Sequence, residues 1–108
     1  PSEADYEIDV AIEHENDPKI IEAPIRRLCY IVARVKLAIL YPGSEDHEQK
    51  EAEATRLISS VIATRRFDPI QEDFAVFLGY FPKSEQQPYW HYKRFDRKGN
   101  VIKTLTST

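Results

Sequence analysis

The 108 residues suffice for one modest core, and 42% hydrophobic with 31% charged side chains is ordinary for a folded chain, which excludes disorder throughout. The net charge of −3 argues against wholesale coating of nucleic acid, yet residues 1–55 carry 13 acidic and 6 basic side chains and residues 56–108 carry 5 and 9. Cys29 is the sole cysteine, so an intramolecular disulfide and a disulfide-stapled scaffold are excluded.

At the start of the chain Tyr6, Ile8, Val10 and Ile12 alternate with Glu7, Asp9, Ala11 and Glu13. That period of two predicts a half-buried strand with an acidic outer face. Glu15-Asn16-Asp17-Pro18 ends it. A helix is predicted from Pro24, a residue suited to the first helical position, to Tyr41, before Pro42-Gly43. Ile25, Leu28, Cys29, Ile31, Val32, Val35, Ile39 and Leu40 then form its core stripe. Lys36 falls inside that stripe and is expected to snorkel out or to meet a carboxylate. Cys29 reads as a buried thiol.

A second helix is predicted from an N-cap at Ser44 to about Arg66, with acids at its start, Arg65 and Arg66 at its end, and Ala54, Leu57, Ile58, Val61 and Ile62 buried. Its first two turns offer only Ala52 as an apolar group, so they are expected to project into solvent. The short connection between the helices favours an antiparallel pair. Asp73 to Phe81 is a continuous apolar run, the expected central strand, buried on both faces. Tyr89 to Asp96 and Asn100 to Thr106 form a hairpin around a turn with Gly99 in the left-handed region. The expected architecture is a single α+β domain spanning 1–108, ordered β-α-α-β-β-β. An antiparallel helix pair packs on one face of its mostly antiparallel sheet.

Two surfaces stand out as candidate sites. With Asp96 opposite Asn100, Lys93 would face Lys103, and two opposed lysines belong in solvent. That would expose Tyr89, His91 and Phe95 beside Lys93 and Lys103, with Arg97 and Lys98 in the turn. Such aromatics stack on bases while the cations track phosphates, so single-stranded nucleic acid is one candidate ligand. On the first predicted helix Arg27, Tyr30, Arg34, Leu37 and Tyr41 recur at steps of three and four opposite the core stripe. Tyrosine and arginine anchor protein interfaces, so this stripe is the candidate surface for a protein partner or a second copy of the chain.

Other chemistry is weakly supported. His47-Glu48-x-x-Glu51 lacks the second histidine of a zinc-protease helix, and His14, His47 and His91 lie in three different elements, so no metal site is expected. The chain has no glycine-rich phosphate loop, and no cofactor is expected. His91 as an acid/base beside Asp73 or Glu72 is the third reading, that of a small-molecule enzyme. Arg26, Arg27, Arg34 and Lys36 interrupt the longest apolar stretch, and the first residues do not resemble a leader, so a cytoplasmic location without membrane contact is expected. By subtraction, the sequence favours a small non-enzymatic protein-interaction domain, a regulatory, adaptor or accessory subunit.

Overall fold

A computed structural model describes residues 8–43, 47–64, 73–81 and 89–106. Among these, the elements run β1 (Val10–Glu15), α1 (Glu22–Cys29), β2 (Val35–Leu40), α2 (His47–Thr64), β3 (Asp73–Tyr80), β4 (Tyr89–Phe95) and β5 (Val101–Thr106). The class is α+β, with two helices packed on one face of a five-stranded sheet ordered β1-β2-β3-β4-β5. The expected central strand is indeed the middle one.

The element order is β-α-β-α-β-β-β, because the first expected helix stops at Cys29 and its second half is β2. β-Branched Ile31, Val32, Val35 and Ile39 favour extended backbone. From Val35 onward the side chains alternate, with Lys36, Ala38 and Leu40 fully buried and Val35, Leu37 and Ile39 half-buried. Lys36 therefore does not snorkel; it lies on the helix-facing side of the sheet with 0% exposure.

This extra strand creates two crossovers. β1 pairs with β2 in parallel, and so does β2 with β3, while β3–β4 and β4–β5 are antiparallel. Each crossover moves one strand over in the same direction, so connections of the usual right hand place both helices on one face. One helix sits in each crossover, so β2 intervenes between the two helices that a short connection was expected to join directly.

The core fills the space between sheet and helices. Ala38, Leu40, Phe74, Val76, Leu78, Tyr80 and Phe95 meet Ile25, Leu28 and Cys29 of α1 and Ala54, Ile58, Val61 and Ile62 of α2. Each fully buried large side chain here stabilises the fold by about 1.5–3 kcal/mol relative to exposure. On β1 the faces are the reverse of the expected ones. Ala11 is buried beneath the helices, whereas Val10 and Ile12 are 51% and 57% exposed on the opposite side. The acidic side of β1 is held by α1, since Arg27 donates through Nε and Nη2 to Glu13 Oε1 at 2.9 and 2.7 Å.

The hairpin turn forms as expected, with Asp96 N donating to Asn100 O at 2.9 Å and Gly99 at φ +89°. Asp96 Oδ1 accepts from the backbone of Asn100 and of Lys98, each at 2.9 Å, and these bonds hold its carboxyl below the usual range. The register beyond the turn differs. A bulge leaves Ile102 without an opposite residue, so Arg94 faces Lys103, Lys93 faces Thr104, Tyr92 faces Leu105 and His91 faces Thr106. Lys93 and Lys103 are therefore not opposed, and their repulsion does not place the Lys93 side in solvent.

Candidate functional site

The side chains of β4 sort cleanly between two environments. Phe95, Lys93, His91 and Tyr89 lie opposite Phe74, Val76, Leu78 and Tyr80, on the helix-facing side. Arg94, Tyr92 and Trp90 lie opposite Ala75, Phe77 and Gly79, on the face the helices leave open.

On the helix side, α2 brings Glu51 against the sheet. Its Oε1 accepts from Tyr80 Oη at 2.8 Å and pairs with His91 Nδ1, and its Oε2 lies 3.4 Å from Lys93 Nζ. The side chains of Glu51, His91 and Lys93 are 17%, 18% and 12% exposed. His47, one turn earlier, sets its ring edge-on to Tyr80 and Tyr89, both at 5.7 Å, and those two tyrosines stack at 5.2 Å. Burial alone would push Glu51 up, but donation from Tyr80 and the charges of His91 and Lys93 outweigh it and hold the carboxyl below its ordinary range. Burial, reinforced by Glu51, raises the Tyr80 hydroxyl well above its usual value.

A carboxylate on Nδ1 orients an imidazole so that Nε2 is the nitrogen left for proton transfer. The same carboxylate here also binds Tyr80 and Lys93, across the seam between α2 and the sheet. The cluster's evident work is to clamp the first half of α2, which corrects the expectation that those turns project into solvent. Ala52, the only apolar group of those turns, is itself exposed, and the polar side chains of His47 and Glu51 make the contact.

The open face is lined mainly by apolar side chains. β1 contributes Val10 and Ile12, β2 contributes Val35, Leu37 and Ile39, and β3 contributes Ala75 and Phe77. Trp90 and Tyr92 follow from β4, and Leu105, 53% exposed, from β5. A hollow of about 390 Å³ lies among Ile39, Phe77 and Trp90. At the end where β1, β2 and β3 finish, Tyr41 accepts or donates at 2.9 Å with His14 Nε2 and packs its ring 5.5 Å from Phe81 and 5.7 Å from Trp90. Gly79 makes room for this cluster, since a Cβ there would sit 2.7 Å from the Trp90 ring and 2.8 Å from Tyr41. Arg94 and Lys103 form the cationic corner of the face.

The sequence-predicted sites are redistributed. The Arg27, Tyr30, Arg34, Leu37, Tyr41 stripe is not a helix face. Arg27 is on α1 and bound to Glu13, Tyr30 and Arg34 precede β2, and only Leu37 and Tyr41 of the five reach the open face. The exposed Tyr89, His91, Lys93, Phe95 platform is overturned, because Phe95 is 1% exposed and His91 and Lys93 are engaged by Glu51. Lys103 lies on the opposite face, and Arg97 and Lys98 are exposed in the turn. Asp73 is at the far end of β3 from the Leu78 opposite which His91 sits, and Glu72, like Ser44, Arg65 and Arg66, is outside the described residues.

The Glu51 clamp and the open face escaped the sequence reading. Extending the buried stripe of α2 backwards from Ile58 and Ala54 reaches Glu51 and His47, a signal that was available. Among the described residues no group of three or more His, Cys, Asp or Glu side chains is placed to hold a metal ion, and no helix is long and apolar enough to cross a membrane. The chain matches no protein-family model, no curated protein and no solved structure.

Proposed function

We propose that the chain is a small non-enzymatic protein–protein interaction domain whose contact surface is the open face of its sheet. The observation that carries this reading is the apolar character of that face, from Val10 and Ile12 on β1 to Leu105 on β5. An antiparallel or mixed sheet with one solvated face normally alternates apolar with polar residues. Here both sides of β2 and β3 are predominantly apolar or aromatic, Lys36 on the helix-facing side and Asp73 at the start of β3 being the charged exceptions. Contiguous apolar patches beyond a few hundred Å² mark interaction surfaces. Aromatic residues and arginine, the types enriched in interface cores, concentrate on β4 as Trp90, Tyr92 and Arg94. The lone buried thiol of Cys29 fits a reducing compartment such as the cytoplasm.

The test is reconstitution from purified components with a protein captured by the chain and identified by mass spectrometry. Leu37→Asp and Tyr92→Asp, each placing a charge on the open face, should abolish binding, while Glu48→Arg on the exposed side of α2 should leave it intact. Binding that survives both aspartates, or that fails with Glu48→Arg, overturns the assignment of this face.

A further inference from the structure

The carboxyl ends of the parallel strands β1, β2 and β3 lie side by side at one end of the sheet. In α/β sheets small ligands bind in the crevice outside such ends, where a reversal of strand order opens it. Here the order does not reverse, and the room comes instead from two residues without side chains, Gly43 and Gly79. They line a hollow of about 360 Å³ together with Asn16, Pro18, Tyr41 and Phe81. A second hollow, of about 240 Å³, shares Pro18 and continues along Ala54 and Leu57 of α2, with Lys19, Lys50 and Glu53 as its charged groups. We propose that this crevice binds a small planar aromatic anion, its ring in the larger hollow and its acidic group at Lys50 and Lys19. The site is independent of whatever protein docks on the open face.

The larger hollow suits a ring. Tyr41 stands 5.5 Å from Phe81, tilted by 41°, and 5.7 Å from Trp90. Its hydroxyl is tied to His14 Nε2 at 2.9 Å, which fixes the ring in place. Gly79 lets the Tyr41 and Trp90 rings settle onto the backbone of β3, where a Cβ would collide with both. No lining residue of this hollow is charged, so a ring is not asked to displace the water of an ion. A cavity of ~150 Å³ holds one benzene, so the larger hollow has room for two fused rings.

The cations stand where the two hollows meet. Gly43, at φ +111°, turns the chain away from β2, and the Lys50 stem crosses it, with Cδ and Cε 3.9 Å from the place of a Gly43 Cβ. The Lys50 ammonium, one bond beyond Cε, is thereby within reach of both hollows. Among the described residues neither Lys19 nor Lys50 is held in an ion pair. The neighbouring acids are engaged: Glu15 Oε2 accepts from Asp17 N, Asp17 Oδ1 from Lys19 N, and Glu53 Oε1 from Gln49 Nε2. Aromatic walls alone would also welcome a cation, so charge decides. Two lysines against Glu53 leave the smaller hollow positive, which selects an anion. Lysine is a point charge without a fixed fork, so a carboxylate, a sulfonate or a phosphate on the ring fits equally.

The experiment titrates the isotope-labelled chain with three probes that share one ring system, 2-naphthoate, 2-naphthylmethanol and 2-naphthylmethylammonium. The naphthoate should shift the amide resonances of Asn16, Gly43, Gly79 and Phe81 saturably. It should bind about three- to fivefold more tightly than the alcohol, the effect of an exposed ion pair, with the ammonium weakest. Lys50→Glu should reverse the order and favour the ammonium, and Phe81→Ala should weaken all three probes at least threefold. Unchanged resonances of Val61 and Ile62 in α2 show that each variant keeps its fold. No saturable shift, equal affinity for the three probes, or shifts centred on Ile39, Phe77 and Trp90 overturns the site. An order that Lys50→Glu leaves unchanged removes the lysine from recognition and overturns the proposal as well.

Discussion

Glu51 satisfies three donors from one position on α2, and its removal leaves them facing each other in a seam that is mostly shut off from water. Breaking a buried charge pair costs 3–5 kcal/mol, and partial exposure of these side chains lowers that, so Glu51→Ala should destabilise the fold by about 2 kcal/mol in urea unfolding. The pH dependence follows from the direction of each shift. A carboxyl held below its ordinary 4.5 contributes stability that is fully present above that value and is lost as pH falls beneath it. Tyr80 behaves in the opposite sense. Raised above 10.0, its hydroxyl contributes fully below that pH and loses the contribution as pH climbs towards the shifted value. Glu51→Gln should therefore flatten the acid limb of a stability profile taken between about pH 3 and pH 7 while leaving the burial-driven part of the alkaline limb in place. Gly99 supplies a different residue-scale test. Its φ of +89° is one that side chains rarely adopt, and a Cβ would collide with the backbone carbonyl of Ser59 on α2. Gly99→Ala should cost about 2 kcal/mol through backbone strain and displacement of the turn from the helix. The turn was legible because Asp96, Gly99 and Asn100 signal it locally; the contact with Ser59 was not, since nothing near Gly99 in the chain encodes a helix forty residues away.

At the scale of elements, α2 is one packed unit along its described length, with His47 and Glu51 continuing the stripe of Ala54, Ile58 and Ile62. Amide exchange in the wild type should thus be slow at the inward positions near Glu51 as well as near Ile58, and Glu51→Ala should speed exchange in the first turns much more than around Val61. Equal acceleration along the whole helix would mean that the clamp supports global stability rather than the helix start. The sequence placed β1, α2, β3 and the hairpin because each has a pattern only one element type explains. β2 had no such pattern. Residues 25–41 are apolar at so many positions that a helical stripe and a two-faced strand fit equally, and Pro42 stops either one. A strand buried on one face and apolar on the other looks like no simple alternation. The bulge at Ile102 was invisible for a related reason: one extra residue shifts every later pair yet leaves composition unchanged. That single shift decided which side of the hairpin was taken for solvent.

For the whole molecule, the balance between the two faces of the sheet is the quantity that matters. The helices and the Glu51 clamp cover one face, and the same strands present Leu37, Ile39, Phe77, Trp90 and Tyr92 on the other. If a partner protein docks on that open face, folding and binding are linked, and thermal stability depends on the partner's concentration. A tenfold rise in partner concentration above the dissociation constant favours the folded chain by RT ln 10, about 1.4 kcal/mol. Each kcal/mol moves the unfolding midpoint of a domain of this size by about 4–8 °C, so the midpoint should climb roughly 6–11 °C per decade of partner concentration. Phe77→Asp should abolish that slope. Without the partner, the variant and the wild type should unfold at nearly the same temperature, because residue 77 is only half-covered within the chain and its main neighbour, the Tyr92 ring at 5.1 Å, remains solvent-facing. Thermal unfolding followed by a fluorophore on the chain, over three decades of partner concentration, separates the two contributions: a slope that persists in Phe77→Asp places the contact elsewhere on the molecule, and a large loss of midpoint without the partner assigns Phe77 to the core of the chain instead.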